Sequence, residues 1–238
     1  MSFAGSAEHP DSVVNASYSY DSDYRFRPTQ LIAPAALLAV GAVGVYAFDG
    51  FRHSLQNSIS SPRHTSADEY LQFLPLAAYL PAGFIPGVGH RCDFRERLLA
   101  GATSMVVVTA LTEGFKLAFR EPRPDDSSER NSFPSGHTAR AFAGAELMRI
   151  EYGNVAGALG YAAAASVGIM RVYNNRHWYN DVLGGAALGI LSARIAYWLL
   201  PFERKLFRLN RQGPRGVNNL VIVPALGSSN GFALALTF

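Results

Sequence analysis

The stretch KLAFREPRPDDSSERNSFPSGHT, residues 116–138, joins two apolar runs through a charged loop. Upstream, Leu98–Thr112 continues past Glu113 to Phe119. Pro122 and Pro124 end that helix near Phe119, because proline lacks an N–H and restricts the residue before it. Downstream, Ser135 has the chemistry of a helix N-cap, and Thr138 to Ile150 is the next apolar stretch. One helix leaves, a polar turn follows and another helix returns. Working outward gives six helix-length segments: Leu31–Phe48, Tyr70–Val88 (interrupted by Pro75, Pro81 and Pro86), Leu98–Phe119, Thr138–Ile150, Val155–Met170 and Val182–Leu200 with Arg194 inside. The fold expected is all-α, a six-helix membrane bundle.

Composition agrees. Of the 238 residues 49% are hydrophobic and 16% charged, against about 25% charged in an ordinary soluble domain. A span needs roughly 20 apolar residues. The first two segments have that length, and the third has it if Glu113 and Lys116 lie at the polar boundary. The last three are thin and rich in small residues that permit close helix contact. A soluble helical bundle has the same look. Loop charge favours the membrane: Arg25, Arg27, Arg91, Arg95, Arg97, Arg149, Arg204, Lys205, Arg208, Arg211 and Arg215 fall on one side of an up-and-down arrangement, the positive-inside pattern.

Residues 1–28 are polar, expected to be disordered, and carry no signal-peptide pattern; 29–202 form the helical domain; 203–238 form a basic linker and a β-hairpin. Pro201 is expected to end the last helix. In the tail Phe232, Leu234, Leu236 and Phe238 alternate with Ala233, Ala235 and Thr237, which is strand periodicity. Cys92 is the only cysteine, so neither an internal disulfide nor a cysteine-based metal site is available. The net charge of +3 is scattered, with no basic stripe for nucleic acid.

Three clusters carry the chemistry. Lys116 and Arg123 offer a point charge and a planar fork for phosphate oxygens. Pro134-Ser135-Gly136-His137 opens a helix, whose first-turn N–H groups suit an anion. Arg171 precedes His177 and Asp181, which are four residues apart and so on one helical face, with Asn174 or Asn175 as the cap. A carboxylate on one imidazole nitrogen leaves the other free to attack. Each cluster alone also has a plain structural reading: an ordinary N-cap, cations snorkelling to a membrane surface, a structural His–Asp pair. Arg120 and Arg130 read as solvated charges. An up-and-down bundle brings all three clusters to one end, where they make a kit for binding phosphate and moving it onto a histidine.

Lys116, six residues, Arg123-Pro124; Pro134-Ser135-Gly136-His137; Arg171, five residues, His177, three residues, Asp181: this order resembles the signature of the type-2 phosphatidic acid phosphatase superfamily. That superfamily holds lipid phosphatases, soluble class A acid phosphatases and vanadium haloperoxidases. Two departures stand out: Met170 where a serine usually precedes the arginine, and only nine residues between Pro124 and Pro134, too few for an inserted domain over the site. The resemblance implies His177 as nucleophile forming a phosphohistidine, Asp181 orienting it, His137 as general acid and then base, and Lys116, Arg123, Arg171, Ser135 and Gly136 as the phosphate cage. It implies no metal and no cofactor, and a lipid phosphate or diphosphate as substrate. The candidates are undecaprenyl diphosphate, phosphatidic acid, phosphatidylglycerophosphate and lipid A phosphates. The implied place is the bacterial inner membrane with the site facing the periplasm. A soluble periplasmic acid phosphatase and, remotely, a vanadium-dependent haloperoxidase are the alternatives.

Overall fold

The computed structural model describes residues 26–47, 49–61, 65–209, 219–225 and 231–237. The expected disorder of residues 1–28 therefore lies, up to residue 25, outside the described residues. A 3-10 turn at Pro28–Leu31 leads into α1 (Ile32–Tyr46), followed by α2 (Asp49–Ile59), α3 (Ala67–Leu71), α4 (Leu74–Ala82), α5 (Phe94–Phe119), α6 (Gly136–Tyr152), α7 (Asn154–Tyr173) and α8 (Tyr179–Leu206). Strands β1 (Asn219–Ala225) and β2 (Gly231–Thr237) pair antiparallel, from Asn219 opposite Thr237 to Ala225 opposite Gly231.

The six-helix count is corrected in two places. The run Tyr70–Val88 is no single helix: α3 stops at Leu71 and α4 spans only nine residues. Pro75 sits in the first turn of α4, where its missing N–H costs nothing, and Pro81 lies in its last turn. The second correction is α2, with sequence DGFRHSLQNSI. It has no apolar run to betray it. Its buried side chains are Arg52 and Gln56, four residues apart, and polar contacts hold it. Arg52 pairs with Glu121 and stacks over the Trp178 ring at 4.3 Å. Gln56 donates to the Val172 carbonyl at 3.0 Å. Pro201 does not end the last helix either, since α8 runs through it to Leu206. Packed surroundings can satisfy the backbone groups that a proline frees.

Among the described residues four helices are long and apolar enough to cross a membrane: Pro28–Tyr46, Phe94–Phe119, Asn154–Tyr173 and Tyr179–Leu206. The expected six spans thus become four, because α4 is too short and α6, at 17 residues, is a central helix carrying Arg140, Glu146 and Arg149. Large apolar side chains such as Val106, Leu117, Val155, Leu159 and Ile169 stand exposed on the outside of the spans, a surface suited to lipid.

The core is built on α6, whose Ala139, Ala141, Ala143, Ala145 and Leu147 are fully buried. Small residues let its backbone touch its neighbours. A Cβ at Gly189 would stand 2.3 Å from the Ala139 carbonyl oxygen, and one at Gly185 2.5 Å from that of Ser135. A larger residue at either position would push α8 off α6. The close approach fixes the site end of both helices: the Ser135 N–H donates to the Asp181 carbonyl at 3.0 Å.

Candidate active site

The C-terminal ends of α5 and α7 and the N-terminal ends of α6 and α8 meet at one end of the bundle, around a cleft of about 650 Å³. Lys116, Arg123, Gly136, His137, Arg171 and His177 all line it. Lys116 lies in the last turn of α5, and Arg120 caps that helix in the left-handed region (φ 49°) with its N–H on the Lys116 carbonyl. The chain then turns sharply, and the prolines keep it extended. Arg123 is held by Asn131 Oδ1 at 2.6 Å and Glu129 Oε2 at 3.0 Å, from the far side of the same loop. Arg120 and Arg130 stand exposed, as expected of solvated charges.

Ser135 occupies the N-cap position of α6 without capping it. Its hydroxyl instead accepts from Thr138 Oγ1 at 2.9 Å. A Cβ on Gly136 would stand 3.6 Å from Arg140 Nη1 and 3.8 Å from Lys116 Nζ, so the glycine faces the cations.

His177 and Asp181 are partners, although not as neighbours on a helical face. α8 begins only at Tyr179, so His177 precedes the helix and Asp181 is in its first turn. The N-cap is Trp178, whose N–H donates to Asp181 Oδ2 at 2.9 Å, and neither Asn174 nor Asn175 caps this helix. His177 Nδ1 stands 3.4 Å from Asp181 Oδ2. The buried Ser132 hydroxyl donates to the same oxygen and lies 3.5 Å from His177 Nδ1. With Nδ1 turned inward, Nε2 is the nitrogen left for the cleft. Burial first, then the charges of Arg171, Arg123 and Lys116, hold the His177 imidazolium well below its ordinary range. That direction favours the neutral ring, the state a nucleophile requires. Burial, followed by Arg171 and Arg140, pushes His137 down to about 3.

Three contributors, Asp68, Arg140 and Ser132, carried no spacing signal. Asp68, buried on α3, takes Arg171 Nη1 on Oδ2 at 2.6 Å and Asn174 Nδ2 on Oδ1 at 3.0 Å. Asn174 thus closes α7 and ties it to α3. Arg140, one turn into α6, adds a cation outside the pattern, with Nε on Gln72 Oε1 at 2.7 Å. Ser132 sits just upstream of the Pro134–His137 cluster. Among the described residues no three His, Cys, Asp or Glu side chains converge as a metal site.

Residues 97–205 match the model of the PAP2 superfamily. A lipid A 1-phosphatase of Porphyromonas gingivalis is 32% identical over 197 residues, covering 72% of this chain and 44% of the relative. The chain thus spans less than half of that relative's length. The crystal structure of Aquifex aeolicus LpxE aligns with a TM-score of 0.48 and 26% identity, covering 63% of this chain and 96% of that one. The PAP2-type phosphatidylglycerolphosphate phosphatase of Bacillus subtilis aligns at 0.49 with 20% identity, covering 76% and 98%.

Proposed function

This chain carries a PAP2 superfamily domain, and from that premise we propose that it is a membrane phosphatase hydrolysing a lipid phosphate or diphosphate through a phosphohistidine, without a metal. The observation that carries the reading is the convergence of His137, His177 and the Lys116, Arg123 and Arg171 cations on one cleft. The cations and the Gly136 N–H hold the phosphoryl oxygens and take the charge of the transition state. The His177 Nε2 lone pair attacks phosphorus, and the bond to the leaving oxygen breaks as the P–N bond forms. His137 gives its proton to that oxygen. Water then attacks phosphorus, the P–N bond breaks, and His137 takes back a proton. Asp181 and Ser132 keep His177 Nδ1 occupied and the ring oriented.

His137 must be protonated for the first step, and before substrate arrives it is neutral. An entering phosphate dianion offsets Arg171 and Arg140, so the substrate itself charges its own general acid. Three fixed cations leave a divalent ion nothing to do. In this reading the cleft end lies within reach of a headgroup, and the basic loops at the opposite end support a periplasmic face of an inner membrane.

The test is phosphate release by detergent-purified protein, with EDTA present throughout. A lipid A phosphate, the substrate in the name of the Porphyromonas gingivalis relative, is compared with phosphatidic acid, undecaprenyl diphosphate and p-nitrophenyl phosphate. Preferential turnover of a lipid is expected. Turnover that stops under EDTA and returns with a divalent ion would overturn the metal-free step, and better turnover of p-nitrophenyl phosphate would overturn the lipid reading.

A further inference from the structure

A second polar pocket lies at the opposite end of the bundle. It measures about 310 Å³, and Arg27, Arg91, Arg149 and Arg194 line it together with Gln30 and Trp198. Arg149 stands 13 residues along α6 from Gly136, about 20 Å at the helical rise. Arg27 immediately precedes the first span, Arg91 comes just before the second, and Arg194 and Trp198 lie 15 and 19 residues along α8 from its cleft end. These residues stand at the end of the candidate spans opposite the cleft.

The inner wall is built. Buried Glu146 takes Arg149 on both oxygens, at 2.6 and 2.7 Å, and Arg194 Nε at 2.7 Å, while the Tyr161 hydroxyl donates to it as well. One carboxylate thus aims two guanidinium groups, leaving a net positive wall. Arg194 Nη1 also donates to the Gln30 carbonyl, and Gln30 Oε1 accepts from Trp198 Nε1 at 3.1 Å. Phe26 meets the Trp198 ring edge-on at 5.0 Å, an aromatic pair at the height where headgroups begin. Gly153 and Asn154 bring the start of α7 to the pocket, where the Gly153 N–H is taken by the Arg149 carbonyl at 3.0 Å. No Asp or Glu lines the pocket among the described residues.

We propose that this pocket binds a phosphate group, that of an anionic phospholipid headgroup in the leaflet opposite the active site. Four guanidinium groups with no lining carboxylate select an anion. Their planar donors suit phosphate oxygens, and basic pockets between spans are where anionic headgroups dock. A volume near 300 Å³ sits at the lower end of ligand pockets and fits a headgroup rather than a whole lipid. The proposal rests on the membrane reading alone and is independent of the hydrolytic chemistry.

Native mass spectrometry of the full chain in detergent tests it, with phosphatidylglycerol, phosphatidylcholine and inorganic phosphate titrated separately. Phosphatidylglycerol should bind in preference to phosphatidylcholine. The rim pair Arg27→Gln with Arg91→Gln should weaken it at least about tenfold, the loss of one or two charge-assisted contacts, while turnover of p-nitrophenyl phosphate stays unchanged. The charge-neutral pair Glu146→Gln with Arg149→Gln should weaken it as well. If that pair fails to fold, the rim pair alone decides between the outcomes. Lys116→Gln with Arg123→Gln removes anion binding at the active-site cleft and should leave phosphatidylglycerol binding intact. Binding that survives the rim substitutions, or that treats phosphatidylcholine equally, overturns the proposal. Full competition by inorganic phosphate in the cleft-disabled protein would overturn the lipid as the source.

Discussion

The two ends of the bundle hold arginines in different ways. At the cleft, Lys116 and Arg123 pair with Glu113 and Glu129, whose side chains are 61% and 45% exposed. Such pairs are weak, and an incoming phosphate can replace either carboxylate. At the far end Glu146 is wholly buried and takes two arginines and a tyrosine at once. Removing both arginines would leave an uncompensated charge inside the protein. The same residue types thus make an exchangeable cage in one place and a fixed wall in the other, and the burial of the carboxylate decides which. Arg171 is the exception at the cleft, since its partner Asp68 is buried too.

The sharpest break in this comparison is His177→Ala. Turnover should fall by at least about 10³-fold, given what removal of a nucleophile costs, while the thermal midpoint in detergent stays near the wild-type value; appreciable residual hydrolysis would remove His177 as nucleophile. The converse is expected of Glu146→Ala, which strands Arg149, Arg194 and Tyr161. A loss of about 3–5 kcal/mol follows from breaking a buried pair on one side, to be read as a large fall in the thermal midpoint.

Acid should reach the cleft through its histidines. His137, pushed down to about 3, and His177, also lowered, bind fewer protons when folded than when unfolded. Their share of stability is therefore whole above the ordinary histidine pKa, about 6.5, and is lost as pH falls below it. Melting curves at pH 7.5 and 5 should show the drop, inorganic phosphate should reduce it, and His137→Asn should flatten it.

Asp68→Asn tests the exception. With its counter-charge gone, Arg171 keeps a hydrogen-bond acceptor but loses its aim. A fall of about tenfold in kcat is expected, the worth of one charge-assisted bond, together with tighter inhibition by inorganic phosphate. A rise in KM at unchanged kcat would show Asp68 to be a matter of packing. Smallest of all should be Glu113→Gln. Its exposed pair with Lys116 is worth under about 1 kcal/mol, so rate and melting point should scarcely move.

Much of the cleft was legible because its residues cluster along the chain at helix ends. An up-and-down bundle turns that order into proximity, which is why 116–123, 134–137 and 171–181 meet in space as the helix pattern anticipates. Asp68, Arg140 and Ser132 were illegible for the opposite reason. Each joins the cleft through an element whose placement depends on packing, and no spacing announces it. Helix α2 offers no apolar run to read, because its buried face is Arg52 and Gln56.

By itself the sequence determined the helical class, the apolar runs at 31–48 and 98–119, and which residues to propose for the phosphate. These follow from local composition and from motif order, which need no neighbour to be read. Tertiary structure alone decided that Tyr70–Val88 divides into two short helices and that His177 meets Asp181 across a helix start. It also decided that Glu146 gathers its two arginines in the core. Those outcomes depend on the contact of α6 with α8 and α4, allowed by glycines at 185, 189 and 144, and such long-range contact is invisible until the chain is packed.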